Sequence, residues 1–472
     1  MPDPIRILLF GAGNRGADAY GQFALNHPDK IKFVAVAEPN AVRRHRFSDV
    51  HHIPPERQFT SWQDALKAEK IADAVINATQ DEMHHDSALA ALDAGYDMLL
   101  EKPMAPTLQK TTEIIQAAED SGQMLMICHV LRYTDFFQKV HEIIKSGRLG
   151  QVVNISHSEN VSYFHMAHSF VRGNWRSTAV SAPMILAKCC HDLDLLYWFL
   201  DEKAEFLSST GNLRHYRPEN APDGAPERCT DGCPAAETCR YYAPRLYLKS
   251  LPIKQAVSRS ANPLLSYVGT LSINHPNTAK ALGRIIPAVR TLTEYSGWPR
   301  NTITENPESD RAVLEALQTG PYGRCVYHCD NDVVDHQVVN MAFPSGITAS
   351  LTMHGHSHQE GRTLRVDGSH ATLLGKFSYS QAWIEVHDHL PGPTLRLTFP
   401  SEVDQTAGHG GGDAGLMQRF VAAMRGQKSP LTGARDSLES HLMAFAAEQA
   451  RIENKTIKMR EFREGVETNK PA

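Results

Sequence analysis

The stretch Ile5-Arg-Ile-Leu-Leu-Phe-Gly-Ala-Gly-Asn-Arg-Gly16 joins a short apolar run to a turn with glycines at 11, 13 and 16. A run of that length, rich in branched and aromatic residues, reads as a buried strand. The first two glycines let the backbone turn tightly and approach a pyrophosphate, which the following helix N-terminus stabilises. Gly16 allows the helix to pack closely on the strand, and Ala12, Asn14 and Arg15 complete the turn and are counted with it as cofactor-binding. A second apolar run, Phe33 to Ala37, ends at Glu38, about 20 residues past Gly16. An acid there hydrogen-bonds ribose hydroxyls and repels a 2′-phosphate, so NAD is expected. Arg43, Arg44 and Arg46 follow closely and keep NADP possible.

Further out, Ala72–Ala78, Asp97–Leu100 and Met124–Val130 are strand-like, with helical spacing in His85–Ala94 and Leu108–Ser121. Strands alternating with helices point to βαβ units and a buried parallel sheet. Beyond Gly150 the pattern changes to longer alternating segments, Val152–Ile155, Val338–Phe343, Ile347–Met353 and Thr363–Val366, as in an antiparallel sheet with one solvated face. The expected fold class is α/β: a doubly wound N-terminal domain over 1–131, then a C-terminal α/β domain over 132–472 built on a large, open, mostly antiparallel sheet. Two insertions interrupt the second domain, a Pro/Gly/Cys-rich one near 212–242 and a turn-rich one near 260–307. Helical spacing returns in Ala414–Met424 and Ser437–Arg451, and the charged tail Arg460–Ala472 is expected to fray.

Composition narrows the function. The 472 residues are 42% hydrophobic and 21% charged, ordinary globular usage that excludes wholesale disorder. A formal charge of −5 gives no net basic field for nucleic acid or an anionic membrane. No stretch approaches the roughly 20 apolar residues of a membrane span. The N-terminus runs into the first strand without a secretory leader, so a cytoplasmic protein is expected. Eight cysteines are too few and too uneven for a disulfide scaffold.

Thr79 ends the third clear strand and His84 begins the next helix, at strand ends where such folds bind ligands. Glu101-Lys102-Pro103 follows the fourth strand. By itself that tripeptide is a solvated turn, but an ammonium at the crevice mouth would polarise a hydroxyl or carbonyl oxygen during hydride transfer.

Taken in order, the glycine turn, Glu38, Glu101-Lys102-Pro103, Arg132-Tyr133, Trp175-Arg176 and His191-Asp-Leu-Asp194 resemble the Gfo/Idh/MocA oxidoreductase family. The resemblance covers residues 1 to about 200 and continues loosely to the end, through Gly410-Gly-Gly-Asp413. It implies a Rossmann domain joined to an open-sheet domain, and NAD(P)-dependent chemistry at a carbinol carbon of a sugar, inositol or polyol. It also implies Lys102 and His191 as catalytic residues, and Thr79, His84, Glu101 and Lys102 beside the cofactor. Lys102, Arg132, Trp175, Arg176, Lys188, Asp194, His328 and Asp413 are then the substrate-binding candidates, and the exposed sheet implies a homodimer or homotetramer.

Two positions depart from the family pattern: Gln80 stands where proline is usual, and Ala187 where an aspartate is common. If Pro183–Leu200 is one helix, Lys188, His191 and Asp194 share a face. Lys188 would then keep His191 neutral and Asp194 would orient its ring. Cys189 and Cys190 read as packing residues.

Cys229, Cys233 and Cys239 in the first insertion, with Cys325 and Cys329 flanking His328 further on, allow either a structural zinc site completed by a distant cysteine or a set of free thiols. His354, His356 and His358 alternate as a polar strand face would, and His409 joins His328 as a candidate for sugar hydroxyls. Three functions remain open on these residues: a dehydrogenase, a glycosidase that oxidises its sugar transiently and returns the hydride, and a dinucleotide-sensing protein without catalysis. Intact Lys102 and His191 argue against the third.

Overall fold

Six parallel strands form the N-terminal layer: β1 (Ile5–Phe10), β2 (Ile31–Ala37), β3 (Gln58–Phe59), β4 (Ala74–Asn77), β5 (Asp97–Leu100) and β6 (Leu125–Ile127). Their order is β3-β2-β1-β4-β5-β6, so the winding reverses between β1 and β4. The alternation of their side chains explains the layer. Ile7, Leu9, Val36, Ile76, Leu99 and Met126 enter one core, while Leu8, Phe10, Ala35, Val75, Met98, Leu100 and Ile127 enter another on the opposite face. A sheet buried on both faces is what near-continuous apolar strands require. The computed structural model describes residues 3–67, 69–401 and 409–468.

The second sheet comprises β7 (Val152–Ser162), β8 (Phe206–Asn212), β9 (His336–Ala342), β10 (Thr348–Ser357), β11 (Gly361–Gly368), β12 (Ala371–Ser378), β13 (Ala382–Asp388), β14 (Leu395–Phe399) and β15 (Ile457–Lys458). It runs β14-β13-β12-β11-β7-β10-β9-β8-β15. β7 and β10 pair in parallel, and the other neighbours are antiparallel. Leu351, Val366, Leu373 and Ile384 face the helix Cys190–Leu200 in the same core that holds Ile7 and Leu9, so the two sheets share one apolar interior. The helix Ala434–Glu453 ties them further. Just before it, Thr432 O accepts Ile127 N at 2.8 Å, and His441 Nε2 within it accepts Met104 N at 3.0 Å.

Three expectations are corrected. The 260–307 insertion is helical rather than turn-rich: Leu251–Ser258, Pro263–Asn274, Pro276–Gly283 and Pro287–Thr293 pack round Ile253, Val268, Ala279, Val289 and Leu292. Pro252, Pro263, Pro276 and Pro287 lie in first turns, where the missing N–H costs nothing, so these prolines start helices instead of breaking them. Pro183–Leu200 is two helices, Met184–Ala187 and Cys190–Leu200, broken at Lys188-Cys189. The tail is helical over Met459–Thr468, and its last four residues lie outside the described ones. Among the described residues no helix is long and apolar enough to cross a membrane.

The glycine turn depends on two contacts. Gly11 has φ +85°, and a Cβ there would meet Ala78 O at 2.6 Å; at Gly16 a Cβ would meet Gly11 O at 2.0 Å. Neither backbone oxygen can yield without opening the turn. Gly16→Ala is therefore expected to lower stability by about 2 kcal/mol or more and to abolish dinucleotide binding; thermal unfolding and nucleotide titration check this, and a wild-type-like variant would refute the packing argument.

Candidate active site

The β1, β2, β4, β5 and β6 strand ends converge at the reversal point, where open α/β sheets bind ligands. Glu38 closes the β2 end, its carboxylate accepting Ala12 N at 2.8 Å and Asn40 N at 2.9 Å. Above Gly13 the space is open within 4 Å, so a bound group can lie directly on the turn. Thr79 beyond β4 donates to Asn77 Oδ1 at 2.8 Å. This cradle fits the adenosine and pyrophosphate of a dinucleotide.

Arg15 has another task. Its guanidinium donates to Glu101 Oε1 (2.6 Å), to both Asp413 oxygens (2.7 and 3.0 Å) and to Tyr20 Oη (2.9 Å). Burial opposes ionisation of Glu101 and Asp413, but the Arg15 charge outweighs it and holds both carboxyls below their ordinary range. Arg15 and Asp413 are thus partners of each other, not free contacts for cofactor or substrate. His84 is also fully engaged, its ring nitrogens lying 2.8 Å from Pro103 O and 3.2 Å from Thr79 O, so it braces the β4 and β5 loops from below.

Lys102 follows Glu101, which accepts the lysine's backbone N–H at 3.1 Å. Lys102 Nζ donates to Ala187 O at 2.8 Å, leaving donors for a substrate oxygen. Facing it, His191 is buried with no hydrogen-bond partner at Nδ1. Burial, and then the charge of Lys102, hold its pKa well below the usual histidine value, so the ring is neutral. His129 stands edge-on to His191, ring centres 5.6 Å apart, also buried and neutral with Nδ1 unpartnered. The sequence reading passed over His129, although it follows the C-terminus of β6 as Lys102 follows that of β5.

Several substrate candidates are otherwise occupied. Asp194 does not orient His191; it forms a buried two-pronged pair with Arg132 at 2.6 and 2.7 Å, which removes Arg132 too. Lys188 turns to Glu360 (3.0 Å) and Glu159 (3.5 Å), away from the role foreseen beside His191. Trp175 Nε1 donates to Asp81 Oδ2 at 2.9 Å, and Arg176 pairs with Asp330 at 3.0 Å. His328, in the loop after Pro321–Gly323, lies 3.9 Å from Glu227 of the first insertion. His354 and His356 lie on β10, while His358 lies beyond its end.

The zinc expectation at Cys229, Cys233 and Cys239 is also corrected: among the described residues no group of three or more His, Cys, Asp or Glu is arranged to hold a metal ion. These cysteines and Cys325 do line one small pocket. The cation facing them is the buried Arg172 guanidinium, 3.5 Å from Cys229 Sγ. Burial raises the Cys239 thiol and pushes Cys325 up to about 11, which favours thiols over thiolate ligands.

Such a doubly wound sheet, glycine turn and acid, joined to an open sheet across a Lys–His pair, defines a two-domain dinucleotide-dependent class of protein. Residues 5–129 match the oxidoreductase family with an NAD-binding Rossmann fold, and 137–230 match the GFO/IDH/MocA C-terminal domain. Residues 5–230 thus match the Gfo/Idh/MocA family over just under half of the chain. The chain is 29% identical over 206 residues to a Bacillus subtilis (strain 168) protein named "Putative oxidoreductase YteT", covering 43% of this chain and 47% of that one. It is 23% identical to inositol 2-dehydrogenase of Corynebacterium glutamicum (strain R) over 46% of this chain and 61% of the relative. The match to 2,7-anhydro-N-acetylneuraminate hydratase of Escherichia coli (strain K12) is 25% identical, over 44% and 54%. These matches span about half to three-fifths of the relatives' lengths. WlbA dehydrogenase from Bordetella pertussis, solved with NADH and UDP-GlcNAcA, shares the fold with TM-score 0.60 at 15% identity, over 96% of this chain and 98% of that one.

Two outcomes follow. Asp194→Asn strands a buried Arg132 charge, so a stability loss of about 3–5 kcal/mol is expected in chemical denaturation; a change confined to KM would restore the substrate role. Acid stability is set by His129, His168, His191 and His441, all held below the ordinary histidine value by burial, His441 to about 3. Below pH 6.5 the unfolded chain binds more protons at these sites than the native one, so stability falls as pH falls, by about 1.4 kcal/mol per pH unit for each. Glu159, pushed up to about 7 by burial, works in the opposite sense and offsets one of them. Melting temperatures between pH 7.5 and 5 should drop well before carboxylates titrate; a flat profile would contradict the neutral-histidine assignment.

Proposed function

We propose that the protein is an NAD-dependent oxidoreductase acting on a hydroxyl-bearing carbon of a sugar, inositol or related polyol. The observation that carries this is the buried, neutral His191 ring under the influence of the Lys102 ammonium, which is itself anchored on Ala187 O. Glu38 and the glycine turn would hold the adenosine ribose and pyrophosphate, and the loops at Thr79 and Glu101 would flank the nicotinamide half. When bound, the nicotinamide supplies the hydride donor or acceptor. Lys102 Nζ, anchored on Ala187 O, donates to the substrate oxygen and stabilises negative charge developing there. The neutral His191 ring accepts the hydroxyl proton, a contribution of about 10²–10⁴-fold. The substrate class rests on the family and on relatives named for inositol and anhydro-sugar chemistry.

A redox-neutral variant has its own support. His129 places a second neutral imidazole against His191. One relative is named a hydratase, consistent with transient oxidation followed by elimination and addition of water, as a glycosidase of this type would use.

Lys102→Ala and His191→Ala are each expected to lower turnover at least about 10²-fold while leaving NADH affinity within about threefold. The assay follows reduced-nicotinamide absorbance with sugars, inositols and aryl glycosides. Undiminished turnover in either variant overturns the assignment, and aglycone release without net reduction selects the redox-neutral variant.

A further inference from the structure

A segment of the second domain reaches back over the adenosine end of the cradle. After the helical insertion the chain passes through Arg300–Thr302, where Asn301 Nδ2 donates to Asp18 Oδ2 at 3.3 Å. Asp18 lies on the first helical segment after the glycine turn and also accepts Asn14 Nδ2 at 2.9 Å. Four residues further on, Glu305 Oε1 accepts Asn40 Nδ2 at 3.1 Å and pairs with Arg43 Nε at 2.9 Å. The strap thus touches both banks of the groove, the helix after β1 and the corner after β2.

That corner decides between the two dinucleotides. A 2′-phosphate would lie beside Glu38 and seek donors from the residues just past it. The donors available are Asn40, Arg43 and Arg44. Arg44 is committed to Glu38 O at 2.6 Å, and Glu305 takes both of the others. Glu38 is itself fixed by Ala12 N and Asn40 N. The 2′ position of a bound ribose would therefore meet two carboxylates at this corner, with the Arg43 charge paired to one of them.

We propose that Glu305 is a specificity-determining residue that excludes NADP: it engages Asn40 and Arg43 from the second domain, so that the corner recognises a free ribose hydroxyl and rejects a phosphate. The inference rests on the nicotinamide reading above and adds a residue no β2-corner motif contains.

The test titrates the full-length protein with NADH and with NADPH, following nicotinamide fluorescence. Wild type is expected to bind NADH at least about tenfold more tightly than NADPH. Glu305→Gln keeps the shape and removes the charge, and should strengthen NADPH binding about tenfold with NADH changed less than about threefold. Adding Arg43→Leu to that variant should cancel the gain, because the freed guanidinium is the phosphate's new partner. If wild type binds NADH but Glu305→Gln leaves the NADH/NADPH ratio unchanged, the role of Glu305 is overturned and the dehydrogenase reading stands. If wild type binds neither nucleotide, the cofactor reading itself fails. Matching melting temperatures of variant and wild type confirm that the comparison is between folded proteins.

Discussion

The guanidinium of Arg15 is shared by three elements far apart in the chain: Glu101 after β5, Tyr20 on the first helical segment, and Asp413 on the helix Gly412–Met424. With about a quarter of its side chain exposed, it has given up most of its hydration, which only near-ideal geometry with both carboxylates offsets. Removing Arg15 would leave the buried Glu101 and Asp413 carboxylates without their counter-charge. The position of the glycine turn relative to Lys102 follows from this junction, because the same Glu101 carboxylate that receives Arg15 also accepts the Lys102 N–H. Cofactor cradle and Lys102 are thereby held on one frame, as the proposed hydride transfer between nicotinamide and substrate would require.

The departure at Ala187 finds its explanation in the backbone. In a continuous helix the Ala187 carbonyl would accept the N–H of His191, four residues on. The break at Lys188-Cys189 releases that carbonyl, and it takes Lys102 Nζ instead. A main-chain oxygen thus holds Lys102 Nζ at the position where an aspartate is common in the family pattern. Lys188, freed from the helix face, joins Glu159, Glu360, Arg362 and Asp192 beneath the site. Three carboxylates face two fixed cations there, and burial, with the charges of Asp192 and Glu360 adding to it, pushes the Glu159 carboxyl up to about 7.

Much of this was legible in the sequence where local pattern and tertiary role coincide. β1 and β5 fall where their apolar runs begin and end, and the glycine turn and Glu38 stand as their spacing predicts. The stretch expected to be turn-rich folds as helices that Pro263, Pro276 and Pro287 start, because a proline that cannot continue one helix can begin the next. Charged residues were the weakest ground. Arg132, Arg176, Lys188 and Asp413 look like ligand contacts in one dimension, yet each is consumed by a partner more than 60 residues away, or brought close by a fold no spacing rule reveals. Glu305 was invisible for the same reason, since its partners lie on the other sheet's first corner.

Burial acts on the Lys102–His191 pair so as to divide their chemical roles. Desolvation penalises charge, and for His191 nothing nearby opposes that penalty; Lys102, His129 and Arg362 all add to it. The ring is left as an acceptor. The Lys102 ammonium, by contrast, is hydrogen-bonded to the Ala187 carbonyl and backed by the Glu101 carboxylate, so its charge is compensated at the point where the chain enters the crevice. One group donates and the other accepts, so under the proposed function a substrate hydroxyl would receive from Lys102 at its oxygen and give its proton to His191.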